Sequence, residues 1–269
     1  KTTRSDRQVM STAVDTKEGK LILDSHKLSY HMDRVQAWES GERIAPISVD
    51  MALTRACGAM CTFCYAMVQE SQERSSVKTP VALKLVDDFE RLGIRSVSLV
   101  SDGESTLSPA YVPFIKHAYD AGIDVGNGTN GWEWEPEKIE QVLPYLTWVR
   151  FTVAAGRPNT YADMMYKGPE HTQVFDRAMA NIKYAVDLKR RKSLPVTLGI
   201  QMVLMPGMGE EILPFAQLGI DLGVDYAVIK HCSDDEQGSL AIDYSRYDEM
   251  YSLLEKAEAM STDNTKIIV

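Results

Sequence analysis

The chain has 269 residues, 44% of them hydrophobic, a formal net charge of −9 and four cysteines. That length and apolar fraction suffice for one large α/β domain or two small ones. The acidic balance argues against partners that present phosphate backbones, the lack of a run of ~18 apolar residues argues against a membrane span, and the cysteines are too few for a disulfide scaffold. The expectation is a cytoplasmic protein in a reducing setting, with neither nucleic acid nor membrane as a partner.

Residues 1–43 are polar and charged and read as an N-terminal extension or cap, with a short strand at 21–23 and a helical patch at 32–38 that places Val35 and Trp38 on one face. From 44 the pattern changes. Residues 44–53 read as a strand that runs into Cys57-Gly58-Ala59-Met60-Cys61-Thr62-Phe63-Cys64, which holds all the cysteines except Cys232. The spacing Cys-x3-Cys-x2-Cys gathers three thiolates in a small volume and stops one ligand short of a tetrahedral zinc site or a fully ligated cluster. With Cys232 far away, the pattern points to a [4Fe-4S] cluster held by Cys57, Cys61 and Cys64, with its fourth iron open to a small molecule. The competing readings are three buried core cysteines or a partial zinc site, although free core cysteines have no reason to bunch at ligand spacing.

Strand and helix signals then alternate. Thr79 and Pro80 open an amphipathic helix, with Thr79 as its N-cap, Val81, Leu85, Val86, Phe89 and Leu92 on one face, and Gly93 as its stop. Strands are expected at 96–100, 123–125, 148–153, 196–204 and 226–229, and helices at 109–121, 137–146, 172–191, 210–222 and 244–260. Six such units imply parallel strands joined by crossovers, either as a doubly wound sheet or as an incomplete (β/α) barrel. In both, chemistry belongs at the carboxyl ends of the strands. Two polar loops are expected there: Ser101-Asp102-Gly103-Glu104-Ser105-Thr106, with a glycine between two carboxylates suited to an ammonium group, and Gly126-Asn127-Gly128-Thr129-Asn130-Gly131, whose amides suit a ribose or a carboxylate. Each alone also reads as an ordinary turn.

The cysteine spacing, the aromatic before the last cysteine and the strand-end loops together resemble the radical S-adenosylmethionine (SAM) superfamily over most of residues 44–230. The resemblance implies an α/β fold, a partial (β/α)6 barrel of the radical SAM type over 44–269, carrying the N-terminal extension 1–43. It implies as cofactors a [4Fe-4S] cluster and SAM, whose reductive cleavage to a 5′-deoxyadenosyl radical starts hydrogen-atom abstraction. Asp102-Gly103-Glu104 resembles the family's Gly-Gly-Glu motif for the methionine amino group, with Asp102 in place of the first glycine. Phe63 matches the aromatic whose backbone contacts adenine, and Thr129-Asn130-Gly131 a frequent Thr-Asn-Gly. Thr152 sits where relatives carry a ribose or carboxylate ligand, and Lys167 could meet the SAM carboxylate.

The stretch from Leu28-Ser29-Tyr30-His31 to Trp38, followed by Ile44-Ala45-Pro46-Ile47, is similar to the lead-in of members with a C-terminal auxiliary-cluster domain of the SPASM or twitch type. No such domain follows the apolar run Thr265-Lys266-Ile267-Ile268-Val269, so a truncation before it is expected. Relatives of that type modify peptides or oxidise or epimerise small metabolites such as sugars, so the implied partners are such a substrate and a reducing protein such as flavodoxin or ferredoxin. Cys232 is the catalytic candidate, with three readings: a buried structural thiol, an auxiliary-cluster ligand, or a hydrogen-atom donor to a substrate radical. A non-catalytic iron–sulfur or zinc protein for electron transfer or structure is the rival from another class. It would need a fourth ligand from Cys232 or a histidine, of which His231 is the best placed.

Overall fold

Seven parallel strands lie side by side in the order in which the chain makes them: β3 (Ser48–Asp50), β4 (Ser96–Leu99), β5 (Asp124–Thr129), β6 (Trp148–Thr152), β7 (Thr197–Leu204), β8 (Tyr226–His231) and β9 (Lys266–Ile268). They belong to a computed structural model that describes residues 14–16, 19–21, 28–64, 75–100, 102–168 and 171–269. The helices between them are α2 (Thr79–Leu92), α3 (Tyr111–Asp120), α4 (Pro136–Val142), α5 (Pro158–Tyr166), α6 (Thr172–Lys192), α7 (Gly209–Leu222) and α8 (Tyr251–Glu258). A doubly wound sheet reverses its strand order at a switch point. This sheet never reverses, and its first and last strands do not pair, so the architecture is the open barrel rather than the doubly wound alternative.

The register separates the two faces of the sheet. Leu99, Asn127, Val149 and Leu198 stand level on one face, as do Thr129, Phe151, Ile200, Ala227 and Ile267, and all are buried. Helices cover this face: Gly219 of α7 lies against Ala227 and Ile200, and Trp134 packs on Phe151 with centroids 5.7 Å apart. The other face is polar and partly open, carrying Asp50, Ser98, Arg150, Thr152, Gln201 and Lys230 at alternate positions. Trp148 and Tyr226 form its floor. Their rings lie over Gly126 and Gly199, where a Cβ would overlap them, so these strand positions exclude any larger residue.

Before the sheet, β1 (Val14–Thr16) and β2 (Gly19–Leu21) pair as an antiparallel hairpin, and α1 (Met32–Glu39) follows. Residues 22–23 of the strand expected at 21–23 lie outside the described residues. Helix α1 buries none of its residues, and Trp38 is exposed. Arg34 ties it to the body, its guanidinium donating to the Ala45 carbonyl at 2.7 Å and the Gly93 carbonyl at 3.0 Å.

Several expected elements differ. The strand at 44–53 shortens to Ser48–Asp50 because residues 51–56 turn to carry the cysteines. The N-cap of α2 is Lys78 rather than Thr79, because Thr79 already has helical geometry and Pro80 occupies the position after it. Residues 126–129, expected as a loop, are β5, since glycine there makes room for the floor ring of Trp148. The helix at 137–146 ends at Val142 and continues as a 3₁₀ turn, Leu143–Tyr145, around Pro144. Likewise, Tyr244–Met250 is 3₁₀ before α8 begins. The terminal run 265–269 supplies a seventh strand beyond the six expected.

Candidate active site

The cysteine loop leaves the carboxyl end of β3 and is clamped from three sides by backbone hydrogen bonds. Val77 N donates to Leu53 O at 2.9 Å and Arg55 N to Ser75 O at 2.9 Å, so the return chain forms a rail beside it. From β4, Glu104 N donates to Ala56 O at 2.8 Å, and Gly103, at φ 77°, lies so close to Thr54 and Arg55 that a Cβ would overlap their backbone. From α5, Met165 O accepts from Met60 N at 2.8 Å and Met164 O from Thr62 N at 2.9 Å. These are carbonyls left free by the last turn of that helix, given to the loop instead of to water.

Cys57, Cys61 and Cys64 are all half-buried, and each lies within electrostatic reach of the others. Burial pushes the Cys57 thiol up to about 12 and raises Cys61 further. The Cys57 and Cys61 thiols, raised in this way, become thiolates only beside bound positive charge, which is what coordination provides. The Ala59 N–H donates to Cys57 Sγ at 3.4 Å, a bond that favours the thiolate.

The donor set distinguishes one ion from a cluster. Three cysteines in one loop stop one ligand short of a closed structural zinc site. A [4Fe-4S] cluster would be held by one thiolate from each of Cys57, Cys61 and Cys64. Buried donors without acceptors also lie on the elements packed against the loop: the indole N–H of Trp132, whose ring lies beside Gly58, and the Tyr161 and Tyr166 hydroxyls of α5 have no hydrogen-bond partner. The residues therefore suit a sulfur-rich cluster held by three thiolates.

Glu104 is buried, and its carboxylate accepts from Thr106 Oγ1 at 2.8 Å, Thr106 N at 3.3 Å and Asn130 N at 2.7 Å. It thus joins the end of β4 to the end of β5, and burial holds its carboxyl above the usual carboxylate range. Asn130 is tied in turn: its Nδ2 donates to Glu133 Oε2 at 2.8 Å, and the same oxygen accepts from Gly58 N at 3.4 Å. Glu133 therefore stands against the cysteine loop, a position that sequence reasoning missed because only the fold brings it there. Gly103, Glu104, Asn130 and the cysteines form one connected group.

The other expected residues lie around it. Asp102 pairs with Arg55 at 3.5 Å, and half-buried Phe63 packs against the core beside the cysteines. Thr152 faces the polar side of the sheet level with Gln201. Lys167 is exposed and ends α5 in a left-handed conformation at φ 55°. Cys232 stands past β8 on the same rim, buried, with its backbone N–H donating to Leu204 O at 3.1 Å and the Tyr247 hydroxyl at 3.1 Å, and burial raises its thiol. His231 stacks on Tyr247 with ring centroids 4.1 Å apart.

Glu211 is a second missed residue. It is buried on α7 and accepts from Gly156 N at 2.9 Å, Arg157 N at 3.0 Å and Thr160 Oγ1 at 2.7 Å, so it caps α5 from outside. Because α5 carries Met164 and Met165, Glu211 supports the cysteine loop through that helix.

The family model of the Radical SAM superfamily matches residues 51–218. Among solved structures, Streptococcus suis SuiB bound to S-adenosylmethionine aligns at 15% identity and TM-score 0.66, over 89% of this chain and 54% of that one. SuiB bound to the precursor peptide SuiA aligns at 16% identity and TM-score 0.64, over 95% and 56%. The protein anSMEcpe with bound AdoMet and the Cp18Cys peptide aligns at 11% identity and TM-score 0.59, over 82% and 62%. The chain thus spans somewhat more than half the length of these structures. No curated protein matches it. A cysteine loop at the rim of an open parallel barrel, inside the matched span, makes this chain a member of the radical SAM superfamily, which uses a [4Fe-4S] cluster and S-adenosylmethionine.

Proposed function

We propose that the protein is a radical SAM enzyme that removes a hydrogen atom from an unactivated C–H bond of a peptide or small metabolite. The observation that carries this reading is the placement of the three-cysteine loop at the rim above a polar, partly open barrel face. When bound, the cluster supplies the electron for reductive cleavage of SAM to a 5′-deoxyadenosyl radical.

The chain's own residues bind and shield. Cys57, Cys61 and Cys64 hold the cluster. Glu104, Gly103 and Asn130 shape the rim for the methionine end of SAM, with Asp102, Phe63, Thr152 and Lys167 around the remainder. Trp148 and Tyr226 close the barrel below, so that water is excluded beneath the reacting groups. Two observations favour a peptide as substrate: Ser48 and Asp50 leave the barrel face exposed at the β3 edge, and SuiB and anSMEcpe have been solved with peptides. The reductant is a flavodoxin- or ferredoxin-like protein and the setting the cytoplasm. No helix among the described residues is long and apolar enough to cross a membrane.

Electron paramagnetic resonance of the reduced, reconstituted protein tests this against the electron-transfer rival. A cluster signal altered by SAM supports the enzyme, and one unchanged by saturating SAM contradicts it. Peptide digests and small-metabolite pools, added separately, then decide the substrate class by which of them increases 5′-deoxyadenosine formation.

A further inference from the structure

The wall around the cysteine loop holds three polar groups that the folded protein leaves unsatisfied. Tyr161 is fully buried and Tyr166 is 6% exposed, and neither hydroxyl has a hydrogen-bond partner. Their rings lie with centroids 6.2 Å apart, so the two hydroxyls are neighbours, but no hydrogen bond of normal geometry joins them. Both lie on α5, the helix whose Met164 and Met165 carbonyls bind the loop, and whose Met165 Sδ lies 3.4 Å from Cys61 Sγ. The Trp132 indole N–H is the third, equally without an acceptor. The Trp132 ring meets Tyr166 edge-on, with centroids 5.8 Å apart, and lies 3.2 Å from where a Cβ of Gly58 would stand.

Native proteins seldom bury a donor without an acceptor, so three in one wall beside three thiolate ligands point to an acceptor that the bound group would bring. We propose that the Tyr161 and Tyr166 hydroxyls, with the Trp132 N–H, donate hydrogen bonds to the sulfur atoms of the cluster held by Cys57, Cys61 and Cys64, and thereby raise its reduction potential. The inference rests on the cofactor assignment above and adds the residues that tune it. Reduction puts more negative charge on the sulfurs, so each donor stabilises the reduced form more than the oxidised form. A phenylalanine keeps the ring and its exclusion of water but loses the donor, which separates this role from packing.

The test uses the reconstituted holoprotein as wild type, Tyr161→Phe, Tyr166→Phe and the double variant. Iron and sulfide content are measured first, then the midpoint potential without SAM, by redox titration of the reduced-cluster resonance. Full iron is expected in all four. At the wild-type midpoint, the oxidised-to-reduced ratio should rise several-fold in each single variant and about tenfold in the double, a downward shift of about 59 mV for one electron. A double variant with full iron and the wild-type midpoint overturns the proposal. If the double variant loses iron, the singles decide, and wild-type midpoints in both overturn it. A wild-type protein that assembles no cluster overturns the cofactor assignment and this inference together, a failure that the iron measurement identifies by itself.

Discussion

Replacing Glu104 by alanine should loosen the fold of the rim before any cofactor is considered. The residue is 2% exposed, and its carboxylate serves the Asn130 N–H at 2.7 Å and the Thr106 hydroxyl and N–H at 2.8 and 3.3 Å. Alanine leaves these buried donors without their acceptor, each worth about 1 kcal/mol or more. A loss of about 3 kcal/mol follows, a large part of a typical stability of about 5–15 kcal/mol. The assay is anaerobic urea unfolding of the cluster-free protein at pH 7, so that cofactor binding does not enter. With a slope of about 3 kcal/mol per molar urea, the midpoint should fall by about 1 M. Glu104→Gln should recover only part, because its amide turns a donor toward either Asn130 or Thr106.

The sign with pH is also fixed. Burial holds the folded carboxyl above its ordinary value, so the folded state binds the proton more tightly than the unfolded one. This contribution is full below the unfolded value of about 4.3 and is lost as pH rises through the folded value. The stability gap between wild type and Glu104→Gln should therefore narrow with rising pH across that window. A loss under about 1 kcal/mol in the alanine variant, or a gap that does not change with pH, refutes the assigned role.

Replacing any one of Cys57, Cys61 or Cys64 by alanine should abolish cluster assembly, since two thiolates cannot hold the cubane; near-stoichiometric iron in Cys64→Ala contradicts this. Glu211→Ala should uncap α5 and cost about 2–3 kcal/mol, with faster loss of iron from the holoprotein, and unchanged iron retention would show that α5 does not support the loop. Gly199→Ala should lower stability by about 1–3 kcal/mol, because its Cβ overlaps the Tyr226 ring; an unchanged melting temperature contradicts the packed floor. Cys232→Ala should leave 5′-deoxyadenosine formation intact. Loss of an epimerised product alone would mark Cys232 as the hydrogen donor, loss of iron beyond one cluster would mark it as a ligand, and neither loss leaves it a buried thiol.

What was legible in the sequence was local. The cysteine spacing lies within one loop, and β6, β7 and α6 announce themselves through the periodicity of their own residues. Where the fold overrode local pattern, the reading failed. Gly126 and Gly128 look like turn residues, and become strand only because Trp148 needs the space over Gly126. Helix α5 shows little apolar periodicity, and its start is secured by Glu211, more than fifty residues further along the chain. Glu133 and the Tyr161–Tyr166 pair belong to the site only through contacts that no spacing encodes. Glu104 was recognisable as a rim carboxylate, but its commitment to Asn130 and Thr106 was not.

The central claim is reductive cleavage of SAM by the group that the three cysteines hold. The most direct measurement incubates anaerobically reconstituted, reduced protein with SAM and quantifies 5′-deoxyadenosine beside a Cys61→Ala control. The wild type should form it and the control should not; equal amounts from both, or none from a wild type carrying full iron, would contradict the account.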